Sequence, residues 1–306
     1  MSIVRSGLVA ILGRPNVGKS SLLNAAVGQH LAITSPKPQT TRDRILGVCN
    51  LPQGQIAFVD TPGVHQPRNA LGVHMVRQAR EALEGIDALL LVVERSEHPD
   101  DQRALDLVRR SGRAAVLAIN KIDHLRDKRE VLPVIAAWHG RHEFRHIVPV
   151  SARTGDGVAD MLACLLDQLP EGSALFPEST LTDRTERFLA AELVREQILL
   201  QTSQEVPYAC AVTIETFQDR PKGDSLIEAM IHVERPSQRK IVVGEGGARI
   251  REIGTRARAT ISQALGRPVH LKLWVEVDPH WSRDDESVRR LGSGAEATVP
   301  RAMTED

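Results

Sequence analysis

The chain has 306 residues, and its 39 basic and 39 acidic side chains leave no formal net charge. With 42% hydrophobic and 25% charged residues, the composition is that of a soluble globular protein of about two domains, which excludes a disordered, collagenous or coiled-coil chain. The longest strongly apolar stretch, Ala88 to Val93, is far too short to cross a bilayer, and the run Gly7 to Leu12 lacks the length and cleavage pattern of a signal peptide. Cys49, Cys164 and Cys210 are too scattered for a disulfide framework or a zinc site and suit a reducing cytoplasm. The zero total hides an asymmetry. Arg235 to Arg267 carries a net charge of +6 and Asp278 to Asp306 a net of −3, a pattern that favours local contact with a polyanion.

In chain order, Leu8 to Leu12 reads as a strand and Lys19 to Val27 as a helix. Strands follow at Ile56 to Val59, Ala88 to Val93, Ala114 to Ile119 and Ile147 to Val150. Helices alternate with them, at about 71–83, 101–110, 131–138 and 158–169. Near-continuous apolar strands between helices predict an α/β domain, a mostly parallel sheet covered on both faces. Leu169 to Pro177, with two prolines and a glycine, reads as a linker.

Beyond it the pattern changes. A long helix is expected over 183–202, and a hairpin over 208–217 and 225–235. A short helix over 237–242 runs into Gly244-Glu-Gly-Gly247. A helix over 248–265 and a strand over 269–277 complete a smaller α+β domain. The expected divisions are 1–170, a linker at 171–181, a second domain at 182–278 and a tail at 279–306, with a short helix at about 284–291.

Gly13-Arg14-Pro15-Asn16-Val17-Gly18-Lys19-Ser20, followed by Ser21, fits G-x-x-x-x-G-K-[ST] and sits between a strand and a helix, as a phosphate-binding loop requires. Its amides turn toward phosphate oxygens, and the helix N-terminus adds positive potential. Lys19 is placed to reach the β and γ phosphates and Ser20 to hold Mg²⁺. Asp60-Thr61-Pro62-Gly63 ends a strand 41 residues after Lys19. Asp60 can hold Mg²⁺ through a water, and Gly63 can offer its amide to a γ-phosphate. Asn120-Lys121-Ile122-Asp123 ends another strand. A carboxylate at Asp123 accepts from both guanine N1–H and the 2-amino group, donors that adenine lacks. Ser151-Ala152-Arg153 follows the next strand and presents the Ala152 amide to guanine O6. Together the motifs select GTP over ATP.

With these motifs in this order, the first domain resembles the translation-factor-like GTPases. The resemblance implies a switch loop with a threonine that closes on Mg²⁺ and the γ-phosphate. Within Gln39-Thr-Thr-Arg-Asp43, Thr41 is the first candidate and Thr40 the second. Ras-like enzymes place a water-orienting glutamine after the DxxG glycine; here the residue is Val64, which has no such chemistry, so slow intrinsic hydrolysis is expected. Asn16 resembles the asparagine with which related GTPases hold K⁺ beside the phosphates, and it is equally accounted for as a turn residue before a glycine.

In the second domain, a GxxG between two helices is the clamp with which KH domains grip single-stranded nucleotides, and the element order resembles the type-2 KH arrangement. Gly244, Gly246 and Gly247 allow close approach, and Lys240, Arg249, Arg251 and Arg256 supply counter-charge. Glu245 lies in the same loop with the wrong sign for phosphate. The combination resembles a family of bacterial ribosome-assembly GTPases over about residues 3–292. The resemblance extends to Pro170-Glu-Gly172, Leu181-Thr-Asp-Arg184, Ala191-Glu192, Val206-Pro-Tyr208, Val233-Glu-Arg-Pro-Ser-Gln238 and Trp281-Ser-Arg-Asp-Asp-Glu286. It implies a monomeric, cytoplasmic GTPase that uses Mg²⁺. It also implies binding to the 3′ end of 16S rRNA, action in 30S subunit assembly and rRNA maturation, and partial association with the inner membrane face. Two other classes fit parts of the pattern. One is a signalling or membrane switch whose KH-like module binds protein. The other is a metabolic P-loop kinase, against which Asn120 to Asp123 argues.

Overall fold

The computed structural model describes residues 4–37, 40–63, 70–95, 98–203 and 205–292. The chain divides into two compact units, the first carrying nearly all described residues up to Arg184 and the second those from Thr185.

The first unit is built on a six-stranded sheet in the order β2-β3-β1-β4-β5-β6. The strands are β1 (Arg5–Leu12), β2 (Ile45–Leu51), β3 (Gly54–Asp60), β4 (Ala88–Val93), β5 (Ala114–Ile119) and β6 (His146–Pro149). All pairings are parallel except β2 on β3. The central strands are apolar throughout because helices cover both faces; every residue of β4 is buried. The helices are α1 (Lys19–Val27), α2 (Ala70–Glu81), α3 (Pro99–Ser111), α4 (Leu132–His139) and α5 (Val158–Asp167). Local chemistry fixes where α3 begins. His98 accepts from the Asp100 amide, Asp101 reaches back to the His98 amide, and Pro99 occupies the first turn. Ala104, Leu105 and Val108 then fall on one face and join the core under β4 and β5.

This topology positions the site. β1 lies between β3 and β4, so the chain leaves β1 where the strand order reverses, which is where ligands settle in open α/β sheets. The motifs at Gly13, Asp60, Asn120 and Ser151 all lie at the carboxyl ends of β1, β3, β5 and β6.

Two features differ from the sequence expectation. Strand β2 has no counterpart in it, and the expected linker is a strap on the first unit. Gly172 donates to the Val4 carbonyl at 2.8 Å, and Glu171 bridges Arg5. The buried amide of Gln55 donates to the Phe176 carbonyl at 2.8 Å and accepts from the Phe176 amide at 2.9 Å. Val48 donates to the Leu181 carbonyl at 2.8 Å, and Gly47 bridges Thr182. The strap thus occupies hydrogen-bonding groups that an edge strand would otherwise leave open.

The second unit contains α6 (Glu186–Gln201), β7 (Cys210–Asp219), β8 (Ser225–Val233), α7 (Pro236–Val243), α8 (Ala248–Leu265) and β9 (Val269–Val277). Its sheet runs β7-β8-β9, antiparallel then parallel. A parallel β8–β9 pair needs a crossover, and α7, the glycine loop and α8 supply it. Val194, Ile198, Ile231, Ile253, Ala257 and Ile261 close the core between the helices and the sheet. The segment after β9 is more ordered than its composition implies. Trp281 is fully buried, its Nε1 donating to the Ala209 carbonyl at 3.1 Å, and Val288 and Leu291 are buried beyond it. The expected helix at 284–291 is a short one at Asp285–Ser287 that continues as a wider turn over Val288–Gly292. The rest of the expected tail, 293–306, lies outside the described residues.

Candidate functional site

Helix α1 starts at Gly18, whose φ of 95° is left-handed, and neither a side-chain cap nor an acidic residue occupies its first turn. Its first amides are left to the loop that precedes them, the arrangement of an anion site. A cavity of about 400 Å³ opens there, lined among others by Pro15, Asn16, Gly18, Lys19, Ser20, Ser21, Thr41, Gly63 and Lys121. Glycine is required at two of its walls. A Cβ on Gly18 would lie 2.3 Å from Asn120 Nδ2, and one on Gly63 would lie 2.8 Å from the Pro15 nitrogen.

Lys19 is buried and spans the loop, its Nζ donating to the Gly13 and Arg14 carbonyls at 3.1 Å each. Burial lowers its pKa to about 8 against the pull of Asp60. Ser20 Oγ lies 2.6 Å from Asp60 Oδ2 and 2.8 Å from Thr41 Oγ1, and Thr41 Oγ1 lies 3.3 Å from the same carboxylate. Three oxygen ligands therefore converge. Burial pushes the Asp60 carboxyl up, opposed by Lys19 and by the hydroxyls of Ser20 and Thr41. Asp60 Oδ1 is buried with no hydrogen-bond partner. Hard oxygen donors and an orphaned carboxylate oxygen fit a Mg²⁺ ion. Of the two threonines, the structure brings Thr41 to this cluster, whereas Thr40 Oγ1 donates to the Lys37 carbonyl at 2.7 Å.

The remaining motif residues divide into contact and support. Asn120 Nδ2 donates to the Val17 carbonyl at 2.8 Å, and Asn120 Oδ1 accepts from the Ala152 amide at 3.1 Å. Asp123 accepts from Ser151 Oγ and from Arg153 Nε at 2.7 Å each. Partial burial opposes its ionisation, yet Ser151 and the Arg153 charge hold its carboxyl below the usual range. Thr61 is buried beneath the loop with its hydroxyl on the Ile11 carbonyl, and Pro62 leads into Gly63. The Arg14 side chain is committed to Glu94 at 2.8 Å and Asp101 at 3.3 Å, so only its backbone serves the loop. Asn16, at φ 66°, donates from Nδ2 to the Pro36 carbonyl at 2.9 Å. Gln39 and Val64 lie outside the described residues.

Sequence reasoning missed Glu94. It pairs with both Arg14 and Lys121, and Lys121 Nζ also donates to the Asn16 carbonyl at 2.7 Å. Burial opposes its ionisation, but Lys121 and Arg14 hold its carboxyl below the ordinary range. The available signal was its place, one residue past the carboxyl end of β4.

In the second unit, Gly244, Gly246 and Gly247 have φ of 73°, 54° and 77°. Helix α8 begins at Gly247, again without a side-chain cap. Lys240, Glu245, Arg249, Arg251 and Arg256 are exposed around this turn. Two of the cations are partly committed: Arg249 Nη1 donates to the Ile241 carbonyl at 2.6 Å, and Arg256 Nε to Glu252 at 2.7 Å.

A family profile described as a 50S ribosome-binding GTPase matches residues 8–121, and one described as a KH domain matches residues 205–282. GTPase Era of Geobacter metallireducens is 46% identical over 291 residues, spanning 94% of this chain and 97% of its own. The chain belongs to the Era family of GTPases. GTPase Era of Xylella fastidiosa is 45% identical over 293 residues, 94% of this chain and 97% of its own. Among solved structures, Era in complex with MgGDPNP and nucleotides 1506–1542 of 16S ribosomal RNA matches with a TM-score of 0.90. It is 41% identical and covers 94% of this chain and 98% of its own. A variant of Aquifex aeolicus Era bound to GDP·AlF4⁻ gives the same values. As an Era-family member the chain is a GTPase, and its second unit is a KH domain.

Proposed function

We propose that this GTPase is a nucleotide-controlled switch that binds the 3′ end of 16S rRNA through its KH domain and acts in maturation of the 30S subunit. The observation that carries the reading is the match across both units to an Era structure holding MgGDPNP and a 16S rRNA segment. The profile that mentions the 50S subunit covers only residues 8–121, so it says nothing of the KH domain.

In this reading the amides of Gly13 to Ser21 and the Lys19 ammonium hold the phosphates of GTP. Ser20, Thr41 and Asp60 hold Mg²⁺, which supplies charge neutralisation at the β and γ phosphates. The Gly63 amide faces the γ-phosphate. Asp123 reads the guanine edge, and Asn120 braces the phosphate loop against the base loop; the Ala152 amide, which donates to Asn120 Oδ1 at 3.1 Å, meets O6 by sharing or leaving that bond. Asn16 beside the Pro36 carbonyl supports a K⁺ site at the phosphates, where a second cation stabilises transition-state charge. Gly244 to Gly247 and the cations Lys240, Arg249, Arg251 and Arg256 form the RNA clamp. A monomeric state, a cytoplasmic location and a peripheral membrane fraction belong to the same proposal and rest on the family resemblance. No helix among the described residues is long and apolar enough to cross a membrane.

The test is binding of labelled 16S rRNA 1506–1542 to the full chain with Mg²⁺ and either GDP or a non-hydrolysable GTP analogue, over a range of salt. Tighter binding in the analogue state, with salt-dependent affinity, supports the reading. Equal binding in both states reduces the chain to two independent modules, and no binding removes the rRNA assignment.

A further inference from the structure

Asp43, on the loop that follows Thr41, and His74, on helix α2, touch. Asp43 lies two residues after Thr41, and His74 lies on α2, the next helix after Gly63. Each side chain is only 8% exposed. His74 Nε2 lies 3.0 Å from Asp43 Oδ1, and Arg77 Nη2 lies 3.3 Å from His74 Nδ1 on the other side of the ring. An arginine only donates and a carboxylate only accepts. Nδ1 therefore accepts, the ring proton sits on Nε2, and the contact is a hydrogen bond from a neutral imidazole to a buried carboxylate. Met75, the next residue, lines the nucleotide cavity, whereas neither Asp43 nor His74 does.

We propose that the Asp43–His74 pair is a positioning clamp for GTP hydrolysis, anchoring the Thr41 loop on helix α2 in the arrangement that meets the γ-phosphate. The proposal rests on the reading of Thr41 and Gly63 as γ-phosphate contacts. A buried carboxylate is costly to leave without its donor, so Asp43 stays in place only while His74 is there to meet it. GDP lacks the phosphate that the Thr41 loop meets in this reading. A ligand shifts a conformational equilibrium only by its differential affinity for the two states. The clamp therefore adds to the affinity for the triphosphate and leaves that for the diphosphate almost unchanged.

The experiment uses the full chain with Mg²⁺ and measures Kd for GDP and for a non-hydrolysable GTP analogue, together with kcat and KM for GTP. His74→Leu removes the donor, and His74→Gln keeps one of similar reach. Asp43→Leu combined with His74→Leu removes the carboxylate as well, and Thr41→Ala is the control. His74→Leu is expected to lower the analogue-to-GDP affinity ratio by about tenfold, with GDP affinity within about twofold of the parent and kcat reduced more than KM is raised. His74→Gln should recover most of the ratio, and the double variant should be no worse than His74→Leu alone. An unchanged ratio, or an equal loss for both nucleotides, overturns the clamp. Should His74→Leu fail to melt cooperatively, Asp43→Asn takes its place: a smaller fall in the ratio supports the clamp and an unchanged ratio overturns it. If Thr41→Ala loses the ratio and His74→Leu keeps it, only the clamp falls. If Thr41→Ala also keeps it, the underlying assignment of the Thr41 loop falls with it.

Discussion

The side-chain amide of Asn120 donates to the Val17 carbonyl oxygen at 2.8 Å, so the guanine loop and the phosphate loop are joined through one residue. The other end of the same amide accepts from Ala152 at 3.1 Å. Asn120→Ala removes both bonds in a buried setting. GDP and GTP affinity should fall together, by about tenfold or more, as read by displacement of a fluorescent nucleotide. A loss confined to one nucleotide would contradict a bracing role.

Asp123 accepts from Ser151 and Arg153, and these partners hold the carboxylate in a fixed orientation. Asp123→Asn replaces one acceptor by a donor, which suits a 2-oxo group in place of the 2-amino group. Preference should move from guanine to xanthine nucleotides. Unaltered guanine preference in a competition assay would show that the base is read elsewhere.

Burial sets the Lys19 ammonium at about 8 in the nucleotide-free protein. Phosphate beside it restores the charged form and raises that pKa. The complex then binds more protons than the free protein above about pH 8. Nucleotide affinity should therefore fall as pH rises through that region, and binding at pH 9 should take up a proton that binding at pH 6.5 does not. Calorimetry in buffers of different ionisation enthalpy, with Mg²⁺ omitted so that Asp60 contributes less, measures the uptake. Equal proton uptake at both pH values would place Lys19 away from the phosphates.

The glycine turn of the KH domain offers a clean test of the RNA clamp. A Cβ on Gly244 would lie 2.7 Å from Arg249 Cβ, so a substitution there disturbs the turn itself. A Cβ on Gly247 meets only the mobile end of Arg251, at 3.5 Å, and one on Gly246 meets nothing. Asp at both Gly246 and Gly247 adds negative charge without a steric clash, though both backbones are left-handed, so the variant must first be shown to melt like the parent. Single-stranded RNA affinity should fall at least about tenfold in filter binding, while nucleotide affinity in RNA-free protein stays unchanged. Retained RNA binding would move the clamp to another surface.

The position of Asn16 against the Pro36 carbonyl leads to a cation test. GTP turnover should be faster in K⁺ than in Na⁺, and Asn16→Ala should erase the difference. Equal rates in the two salts for the parent protein would leave Asn16 as a turn residue only.

The parallel strands and their motifs were legible because β4 and β5 are apolar runs buried on both faces, and β1, β3 and β5 each run into residues of distinctive chemistry. Strand β2 was not. Ile45–Leu51 contains Gly47, Cys49 and Asn50, and its place depends on pairing with β3, a nonlocal fact that local pattern does not carry. The strap read as a linker at 171–181 because Pro170, Gly172 and Pro177 break regular structure, while its order comes from Gln55 and the edge of β2, more than a hundred residues earlier. Glu94 and the Asp43–His74 contact were hidden for the same reason: a side-chain contact between residues distant in sequence leaves no spacing rule in one dimension. Trp281 belongs to a stretch that carries the family resemblance, and its burial and bond to Ala209 show that it anchors the segment after β9.

Helix α1 begins at a left-handed glycine with no side chain to close its first turn, unlike α3 with its His98 and Asp101 box. In the proposed function, phosphate supplies the missing cap when nucleotide binds, so the substrate also completes the secondary structure. Thermal resistance of the first unit should then track guanine nucleotide concentration, rising by about 2.7 kcal/mol when the ligand stands at a hundred times its dissociation constant. In a starved cell, the protein's survival against proteolysis would be tied to the same pool that its chemistry consumes.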